Sequence, residues 1–323
     1  MVQNKFYYIS QGEFWTYFFK YHYKDMLFEK CDESIKKQVF RDMVTIINFE
    51  TSSFCNRRCV YCPVSVFGSR PQTYMKDEVF DKILSELKDI DYRGIVCTSL
   101  FNEPFAGDNI FDRIKAVKNA LPKCYITLNS NGDYFNRDML NKLSESGASE
   151  ALITLHMAPG EKYSDELARK KLEVFFEKLG LPYNISEELE GHSISCDLNY
   201  KGLVLFVGTR NWESDGCDRG GSVEALSISK REMPCASPFR EIALDIEGNF
   251  RMCCNMYVNT KPLANIMEKG FLDYYFSDEL SNIRKNLAKW GEGKIAPCDT
   301  CNSYMRNIYT KEEWTELCEE LQL

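Results

Sequence analysis

Residues 52–63 read SSFCNRRCVYCP, and this stretch places Cys55, Cys59 and Cys62 in a C-x3-C-x2-C spacing. The apolar run at 44–49 precedes it and has the length of a β-strand. Three thiolates on one loop can each bind one iron of a [4Fe–4S] cluster, so the fourth iron stays open to a small molecule. An open coordination position is typical of catalytic metal sites. A zinc ion with a distant fourth ligand is the alternative.

The composition also points to metal binding. The chain has 14 cysteines but 3 histidines, and its N-terminus has no apolar segment typical of a signal peptide. Metal binding therefore explains the cysteines better than disulfides do, and thiolate-only ligation indicates either iron–sulfur clusters or four-cysteine zinc. A net charge of −8 disfavours nucleic acid and anionic membranes as partners. No apolar run approaches the roughly 20 residues that span a bilayer, so we expect a soluble, cytoplasmic protein.

Strand-like and helix-like segments alternate between residues 44 and 210. Apolar runs at 44–49, 95–100, 124–128 and 151–155 predict strands, with amphipathic helical patterns between them. This alternation predicts an α/β fold with a parallel sheet, whose ligands bind at the carboxyl ends of the strands. Further strands are predicted at 194–198 and 203–207. Beyond residue 210 the pattern predicts a β-hairpin at 241–253 and helices at 271–290 and 311–321, and residues 1–43 are predicted to form a helical extension.

The cysteine loop, with Tyr61 directly before its third cysteine, resembles the signature of the radical SAM superfamily. The resemblance implies a partial (β/α)6 barrel over residues 44–210, which binds S-adenosylmethionine (SAM) and a [4Fe–4S] cluster through Cys55, Cys59 and Cys62. In such enzymes the amino and carboxylate groups of SAM chelate the open iron. Reduction of the cluster then cleaves SAM, and the 5′-deoxyadenosyl radical takes a hydrogen atom from a substrate carbon.

The resemblance extends to segments that follow later strands. FNEPF at 101–105 is similar to the family's glycine-glycine-glutamate-proline motif, although Phe101 and Asn102 replace the glycines. Glu103 is thereby implied to accept a hydrogen bond from the SAM ammonium. SNG at 130–132 resembles a ribose-contacting motif, and ITLH at 153–156 resembles a strand end that faces SAM. The SAM-binding residues implied are Tyr61, Asn102, Glu103, Ser130, Asn131, Thr154 and His156. Plain turn chemistry remains the alternative for Ser130 and Asn131, and a structural histidine for His156.

A second set of cysteines follows in a C-x17-C…C-x2-C spacing. It resembles the twitch form of the SPASM domain, which implies a small α+β domain at 211–323 with one auxiliary [4Fe–4S] cluster. The implied ligands are Cys235, Cys253, Cys298 and Cys301, with a structural zinc as the alternative. The segment CDRGG at 217–221 resembles another SPASM element and implies that Arg219 contacts SAM or substrate; a surface arginine is the equal alternative.

The resemblance implies several possible reactions. The N-terminal extension is too short for the leader-binding domain of many peptide-modifying members, so a small polar metabolite such as a sugar, aminocyclitol or nucleoside is favoured. We predict that it is epimerised or dehydrogenated, with a preference for epimerisation because Cys254 has the position of a hydrogen-atom donor. Radical modification of a ribosomally made peptide and a non-catalytic metal-binding module are the alternatives. An electron donor such as flavodoxin or ferredoxin is also implied, and Cys31, Cys97, Cys124 and Cys196 are predicted to be small buried residues.

Overall fold

The computed structural model describes residues 14, 15, 18, 31–68, 70–226, 230–257, 260–291, 295–303 and 310–320. Most of the predicted extension over 1–43 lies outside these residues, but α1 (Glu33–Met43) lies within them. Asp32 begins α1, because its carboxylate accepts a hydrogen bond from the Ile35 backbone N–H at 3.0 Å. Val39, Phe40 and Met43 of this helix join the central core.

Helices and strands alternate as the sequence predicts. The strands are β1 (Ile46–Phe49), β2 (Ile95–Cys97), β3 (Tyr125–Ser130), β4 (Glu150–Thr154), β5 (Glu187–Leu189), β6 (Ser193–Tyr200), β7 (Leu203–Arg210), β8 (Glu241–Leu244) and β9 (Phe250–Arg251). The remaining α-helices are α2 (Pro63–Val66), α3 (Asp77–Ile90), α4 (Ile110–Ala120), α5 (Arg137–Ser146), α6 (Asp165–Leu179), α7 (Trp212–Asp215), α8 (Ser237–Arg240), α9 (Phe271–Tyr275), α10 (Asp278–Leu287) and α11 (Lys311–Glu320).

One sheet organises the described residues, in the strand order β5-β6-β7-β4-β3-β2-β1-β8-β9. The strands from β7 to β8 in this order are parallel, whereas β5, β6 and β9 run antiparallel to their neighbours. Because β5 and β9 stand at opposite ends of the order, the sheet is open, as in a partial barrel. The predicted α/β class with a parallel-dominated sheet is therefore confirmed.

The pair β6–β7 differs from a simple βαβ repeat. The two strands form an antiparallel hairpin, in which Tyr200 pairs with Leu203. The two residues between them, Lys201 and Gly202, both have positive φ angles, of 51° and 88°. A two-residue loop with positive φ at both positions is the turn that favours a hairpin, and it is too short for a parallel crossover.

The second predicted region continues the same sheet. Strand β8 lies beside β1 in parallel, and β9 returns from it as the predicted hairpin. The predicted helix at 271–290 is two helices, because Ser277 begins α10 by accepting a hydrogen bond from the Leu280 N–H at 3.3 Å. The division of the chain at residue 210 stays a prediction, since the sheet runs across it.

The two faces of the parallel sheet differ sharply in chemistry. Side chains on one face are at most 1% exposed and pack in the same core as helix residues such as Phe80 and Ile83. These buried residues are Ile47, Phe49, Val96, Ile126, Leu128, Ala151, Ile153, Leu205, Val207, Ile242 and Leu244. Alternation and register place a different set on the opposite, inner face: Asn48, Cys97, Thr127, Asn129, Glu150, Thr154 and Glu241. By the same alternation Ile46, Ile95, Leu152, Phe206 and Ala243 also lie on this face. The inner face is therefore mixed, and among its polar residues Asn129, Glu150, Thr154 and Glu241 retain accessible surface.

Candidate functional site

The loop between β1 and α2 holds the first three cysteines. Cys62 begins α2, with Pro63 as the first helical residue, and its N–H donates to the Cys59 carbonyl at 2.9 Å. The Ser65 hydroxyl donates to the same carbonyl at 2.7 Å. Electrostatic interactions join the thiols of Cys55, Cys59 and Cys62, so the loop brings the predicted triad together. Burial raises the pKa of each of these thiols.

Asp133, which follows β3, anchors the cysteine loop to the sheet. Its carboxylate accepts hydrogen bonds from Asn56 Nδ2 at 2.6 Å and from Arg57 Nε at 2.6 Å. Burial opposes ionisation of Asp133, but the donors from Arg57 and Asn56 keep its pKa below the ordinary value. The loop conformation therefore depends on backbone and charge contacts that do not involve the thiols.

Glu103 is 2% exposed and lies where the β1, β2 and β3 loops meet. Its carboxylate accepts hydrogen bonds from Ser130 Oγ at 2.9 Å, the Asn131 N–H at 2.7 Å and the Phe105 N–H at 3.1 Å. Burial nevertheless raises its pKa to about 7. An electrostatic interaction with Cys55 shows that Glu103 lies near the first cysteine of the triad.

Other predicted SAM-binding residues brace these loops. Asn131 Nδ2 donates to Asn56 Oδ1 at 2.9 Å, and Asn131 Oδ1 accepts from the Asp133 N–H at 3.0 Å. Ser130 Oγ also accepts from the Gly132 N–H, so turn chemistry does engage both side chains. Asn102 Oδ1 accepts from the Leu100 N–H at 3.0 Å and therefore shapes the loop that carries Glu103.

Tyr61 and His156 form a pair beside Trp212. The Tyr61 ring stacks on the Trp212 indole with centroids 4.6 Å apart, and the Tyr61 hydroxyl is hydrogen-bonded to His156 Nδ1. Burial, followed by the charge of Arg57, lowers the pKa of His156 to about 4, so the imidazole is neutral at pH 7. Burial also raises the pKa of Tyr61, so its hydroxyl is protonated at pH 7. Thr154 ends β4 on the same side of the sheet and pairs with Gly208.

The second cysteine set is also brought together. Cys253 interacts electrostatically with Cys298 and Cys235, and Cys298 interacts with Cys235 and Cys301. The guanidinium of Arg231 lies among these thiols and is hydrogen-bonded to Cys235. Although burial opposes it, the interactions with Cys235 and Cys301 raise the pKa of Arg231. A buried positive charge among sulfur atoms stabilises the deprotonated, thiolate form of these cysteines.

Arg219 lies between Cys62 of the triad and Cys254. It has a left-handed backbone with a φ of 51°, which is uncommon for a residue with a side chain. Gly221 in the same turn has no room for a Cβ, which would lie 2.4 Å from Thr300 Oγ1 in the loop of the second set. The Arg219 charge interacts with Cys62 on one side and with Cys254 on the other. The predicted Arg219 is therefore a partly buried residue between Cys62 of the triad and Cys254.

Cys254 lies next to Glu241 on the inner face. Its backbone N–H donates to Glu241 Oε1 at 2.7 Å, and its thiol is also hydrogen-bonded to this carboxylate. Asn48 Nδ2 donates to the same Oε1 atom at 3.1 Å. Burial and the neighbouring carboxylate raise the pKa of Cys254 well above the ordinary value, so the thiol is protonated at pH 7.

Each cysteine set has the number of thiols that a cluster site requires. Among the described residues, no three His, Cys, Asp or Glu groups are arranged to hold a metal ion. A [4Fe–4S] cluster takes one thiolate on each iron, so its ligands are spaced more widely than those of zinc. The triad leaves one iron without a protein ligand, and the second set supplies four thiols beside a guanidinium. No helix in the described ranges is long and apolar enough to cross a membrane.

Several residues of this site were missed from the sequence. Glu241 and Asn48 are polar residues in apolar strand-length segments, and this is the signal that could have identified them as inner-face residues. Asp133 and Trp212 carried no comparable signal. Glu50 was missed as well; it is fully buried, accepts from Arg70 at 2.6 Å and from the Phe101 N–H at 3.0 Å, and braces the Glu103 loop.

Comparisons with known proteins agree with this geometry. Residues 49–180 match the model of the radical SAM superfamily, and residues 235–302 match SPASM, an iron–sulfur cluster-binding domain. The chain is 24% identical over 276 residues to an S-adenosyl-L-methionine-dependent 2-deoxy-scyllo-inosamine dehydrogenase of Niallia circulans; the match covers 84% of this chain and 97% of that protein. It is 30% identical over 139 residues to a probable GTP 3′,8-cyclase of Pyrobaculum aerophilum, covering 43% of this chain and 40% of the other.

A solved structure shows the same fold. The crystal structure of BtrN in complex with AdoMet and 2-DOIA superposes with a TM-score of 0.63 at 22% identity, covering 84% of this chain and 97% of that one. The two matched domains indicate SAM, a radical SAM [4Fe–4S] cluster and an auxiliary [4Fe–4S] cluster as cofactors, in place of zinc. The chain therefore belongs to the radical SAM superfamily, as an enzyme whose radical SAM domain is followed by a SPASM iron–sulfur domain.

Proposed function

We propose that Cys55, Cys59 and Cys62 bind the radical SAM cluster, and that the auxiliary cluster is bound by Cys235, Cys253, Cys298 and Cys301. The proximity of the thiols within each set supports this assignment. We further propose that Tyr61, Asn102, Glu103, Ser130, Asn131, Thr154 and His156 form the SAM site, with Arg219 at its boundary with the substrate. Glu103 is central to this site because its carboxylate is desolvated and close to Cys55.

The SAM affinity should depend on pH through Glu103. Burial raises the pKa of this carboxyl to about 7, so it is ionised and able to accept from the SAM amino group above pH 7 but is protonated below it. Between pH 8 and pH 6 the ionised fraction falls about tenfold. We expect the SAM dissociation constant of reconstituted wild type, measured by anaerobic calorimetry, to rise between pH 8 and pH 6. This rise should be about tenfold larger than the rise measured for Glu103→Gln. Equal pH dependence in both proteins would show that Glu103 does not contact the amino group.

We infer that the substrate is a small polar metabolite and that one of its alcohol carbons is oxidised. The observation that carries this proposal is the group of polar side chains on the inner face of the sheet: Asn48 donates to Glu241, Glu241 lies beside Arg219 and Cys254, and Asn129 lies two strands from Asn48 on the same face. Hydroxyl and amino groups need such donors and acceptors, whereas an apolar substrate does not. The similarity to a 2-deoxy-scyllo-inosamine dehydrogenase over 97% of its length supports an aminocyclitol.

When bound, SAM and the two clusters supply a hydrogen-abstracting radical and an acceptor for one electron. Dehydrogenation of an alcohol to a ketone removes one hydrogen atom from carbon, one proton from oxygen and one electron, which balances this supply. The protein orients the substrate through Asn48, Asn129 and Glu241, with Arg219 beside them. The Tyr61–His156 pair and the loop anchored by Asp133 hold the SAM side of the cavity.

Epimerisation is the second candidate, and Cys254 is the observation that favours it. Inversion needs a hydrogen-atom donor on the opposite face of the substrate carbon. The Cys254 thiol is protonated, faces the interior beside Glu241, and lies outside the proposed set of cluster ligands. A protonated thiol in this place can return a hydrogen atom to carbon, because an S–H bond is weaker than most C–H bonds.

Turnover in D2O separates the two reactions. With 2-deoxy-scyllo-inosamine as the first probe, a dehydrogenase yields a ketone without solvent deuterium at carbon, and Cys254→Ala forms the same product. An epimerase yields inverted product with one deuterium, and Cys254→Ala loses this product while still making 5′-deoxyadenosine. Mass spectrometry and NMR of the products distinguish these results. We expect the ketone, and a deuterated inverted product would overturn this expectation.

Cys217→Ala is the matched control for the Cys254 variant. Cys217 is another buried thiol, 2% exposed, that interacts electrostatically with Cys254. Its loss removes a similar volume without removing the thiol beside Glu241. A loss of product in both variants would indicate general damage to the cavity and not a hydrogen-atom donor.

The external partners remain predictions. An electron donor such as flavodoxin or ferredoxin fits the exposed apolar side chains of Val60, Val66 and Phe67, which flank the cysteine loop. A peptide substrate and a cytoplasmic location have no further support in the chain.

A further inference from the structure

Glu241 is a desolvated carboxylate without a salt bridge to any described residue. Its carboxylate accepts from Asn48 Nδ2 and the Cys254 N–H, both of which are neutral donors to Oε1. No Lys, Arg or His forms a salt bridge with Glu241 in the described part of the chain. Arg240 and, after it, Arg219 contribute electrostatic interactions that lower the pKa of Glu241, but neither forms a salt bridge with it, and the Arg219 guanidinium donates to Asn255 Oδ1 at 3.0 Å.

Glu241 is desolvated but still partly accessible. Burial raises the pKa of its carboxyl, yet part of the residue remains accessible. Glu241 is therefore largely enclosed by protein without being completely covered. It belongs to the inner face of the sheet, where Asn48 on β1 and Cys97 on β2 lie near it.

A desolvated carboxylate without an ion pair is costly, and a cationic ligand would offset this cost. We propose that Glu241 binds a protonated amino group of the substrate and thereby selects amine-bearing polyols over their neutral counterparts. This inference rests on the proposed function and specifies its substrate class. It places the amine beside the Cys254 thiol.

The test compares the binding of an amine with that of a neutral polyol. Calorimetry on anaerobic, SAM-loaded holoenzyme would use 2-deoxy-scyllo-inosamine and scyllo-inositol as probes. We expect wild type to bind the amine at least about tenfold more tightly, because a hydrogen bond to a charged group adds this much affinity. Glu241→Gln keeps an oxygen acceptor for Asn48 and Cys254 but removes the negative charge, and should abolish the preference.

Glu150→Gln is the matched control. Glu150 lies on the same inner face, on β4 across the sheet, and accepts from the Tyr125 hydroxyl at 3.0 Å. Its variant should keep the preference for the amine. The proposal is overturned if wild type shows no preference, if neither probe binds, or if the preference survives Glu241→Gln. Product analysis tests the proposed oxidation separately. An enzyme that binds the amine but forms no ketone would refute the oxidation and not the amine site.

Discussion

Cys59→Ala should abolish the reductive cleavage of SAM. Anaerobically reconstituted, dithionite-reduced wild type is expected to convert SAM into 5′-deoxyadenosine and methionine, measured by liquid chromatography. The variant should form neither above background, because two thiolates leave two irons of the cluster without a protein ligand. Its iron content should fall by about four per chain, and the auxiliary cluster should remain.

The loop around Cys59 makes this substitution informative. The Cys62 N–H and the Ser65 hydroxyl both donate to the Cys59 carbonyl, and Arg57 is held by Asp133. The variant loses the hydrogen bond between the Cys59 thiol and Tyr61. It keeps the other contacts, so the loop should retain its fold. Cys318→Ala is the control, since Cys318 lies in α11 outside both cysteine sets. This variant should cleave SAM normally. Unchanged cleavage by Cys59→Ala would contradict the assignment of the triad.

The order of strands and helices could be predicted because it depends on local periodicity. The alternation of the apolar positions in β1 and the helical spacing of Val79, Phe80 and Ile83 are properties of short segments. The antiparallel β6–β7 hairpin was not predicted, although its two-residue connection excludes a parallel crossover. The position of β8 beside β1 depends on residues almost 200 positions apart, and no local pattern indicates it.

The candidate site was predictable to a similar extent. Motifs with fixed spacing identified the cysteine triad and the second set, because neighbouring ligands on one loop are encoded locally. The contact between Arg57 and Asp133 and the one between Asn48 and Glu241 join distant segments. Only the register of the sheet reveals that Glu241 faces the same space as Cys254. The sequence therefore indicated the cofactors together with Arg219 and Cys254, but not Asn48, Asn129 and Glu241, which are also proposed to contact the substrate.

The auxiliary site should bind iron independently of the triad. The Cys55, Cys59 and Cys62 to Ala triple variant is expected to keep about four irons and four sulfides per chain after reconstitution. Adding Cys298→Ala and Cys301→Ala should remove these as well. The thiols of the second set lie around Arg231, and none of them belongs to the loop between β1 and α2.

The two variants also distinguish an auxiliary [4Fe–4S] cluster from a structural zinc ion at the second cysteine set. Metal analysis and visible absorption would show iron and sulfide in the triple variant if the second set binds a [4Fe–4S] cluster, and colourless protein with one zinc if it forms a structural site. Arg231 favours the cluster, because its guanidinium can hydrogen-bond to a cluster sulfur atom and to the Cys235 thiolate at once. A triple variant that binds no iron, or binds zinc in its place, would refute the assignment of Cys235, Cys253, Cys298 and Cys301 as ligands of an auxiliary cluster.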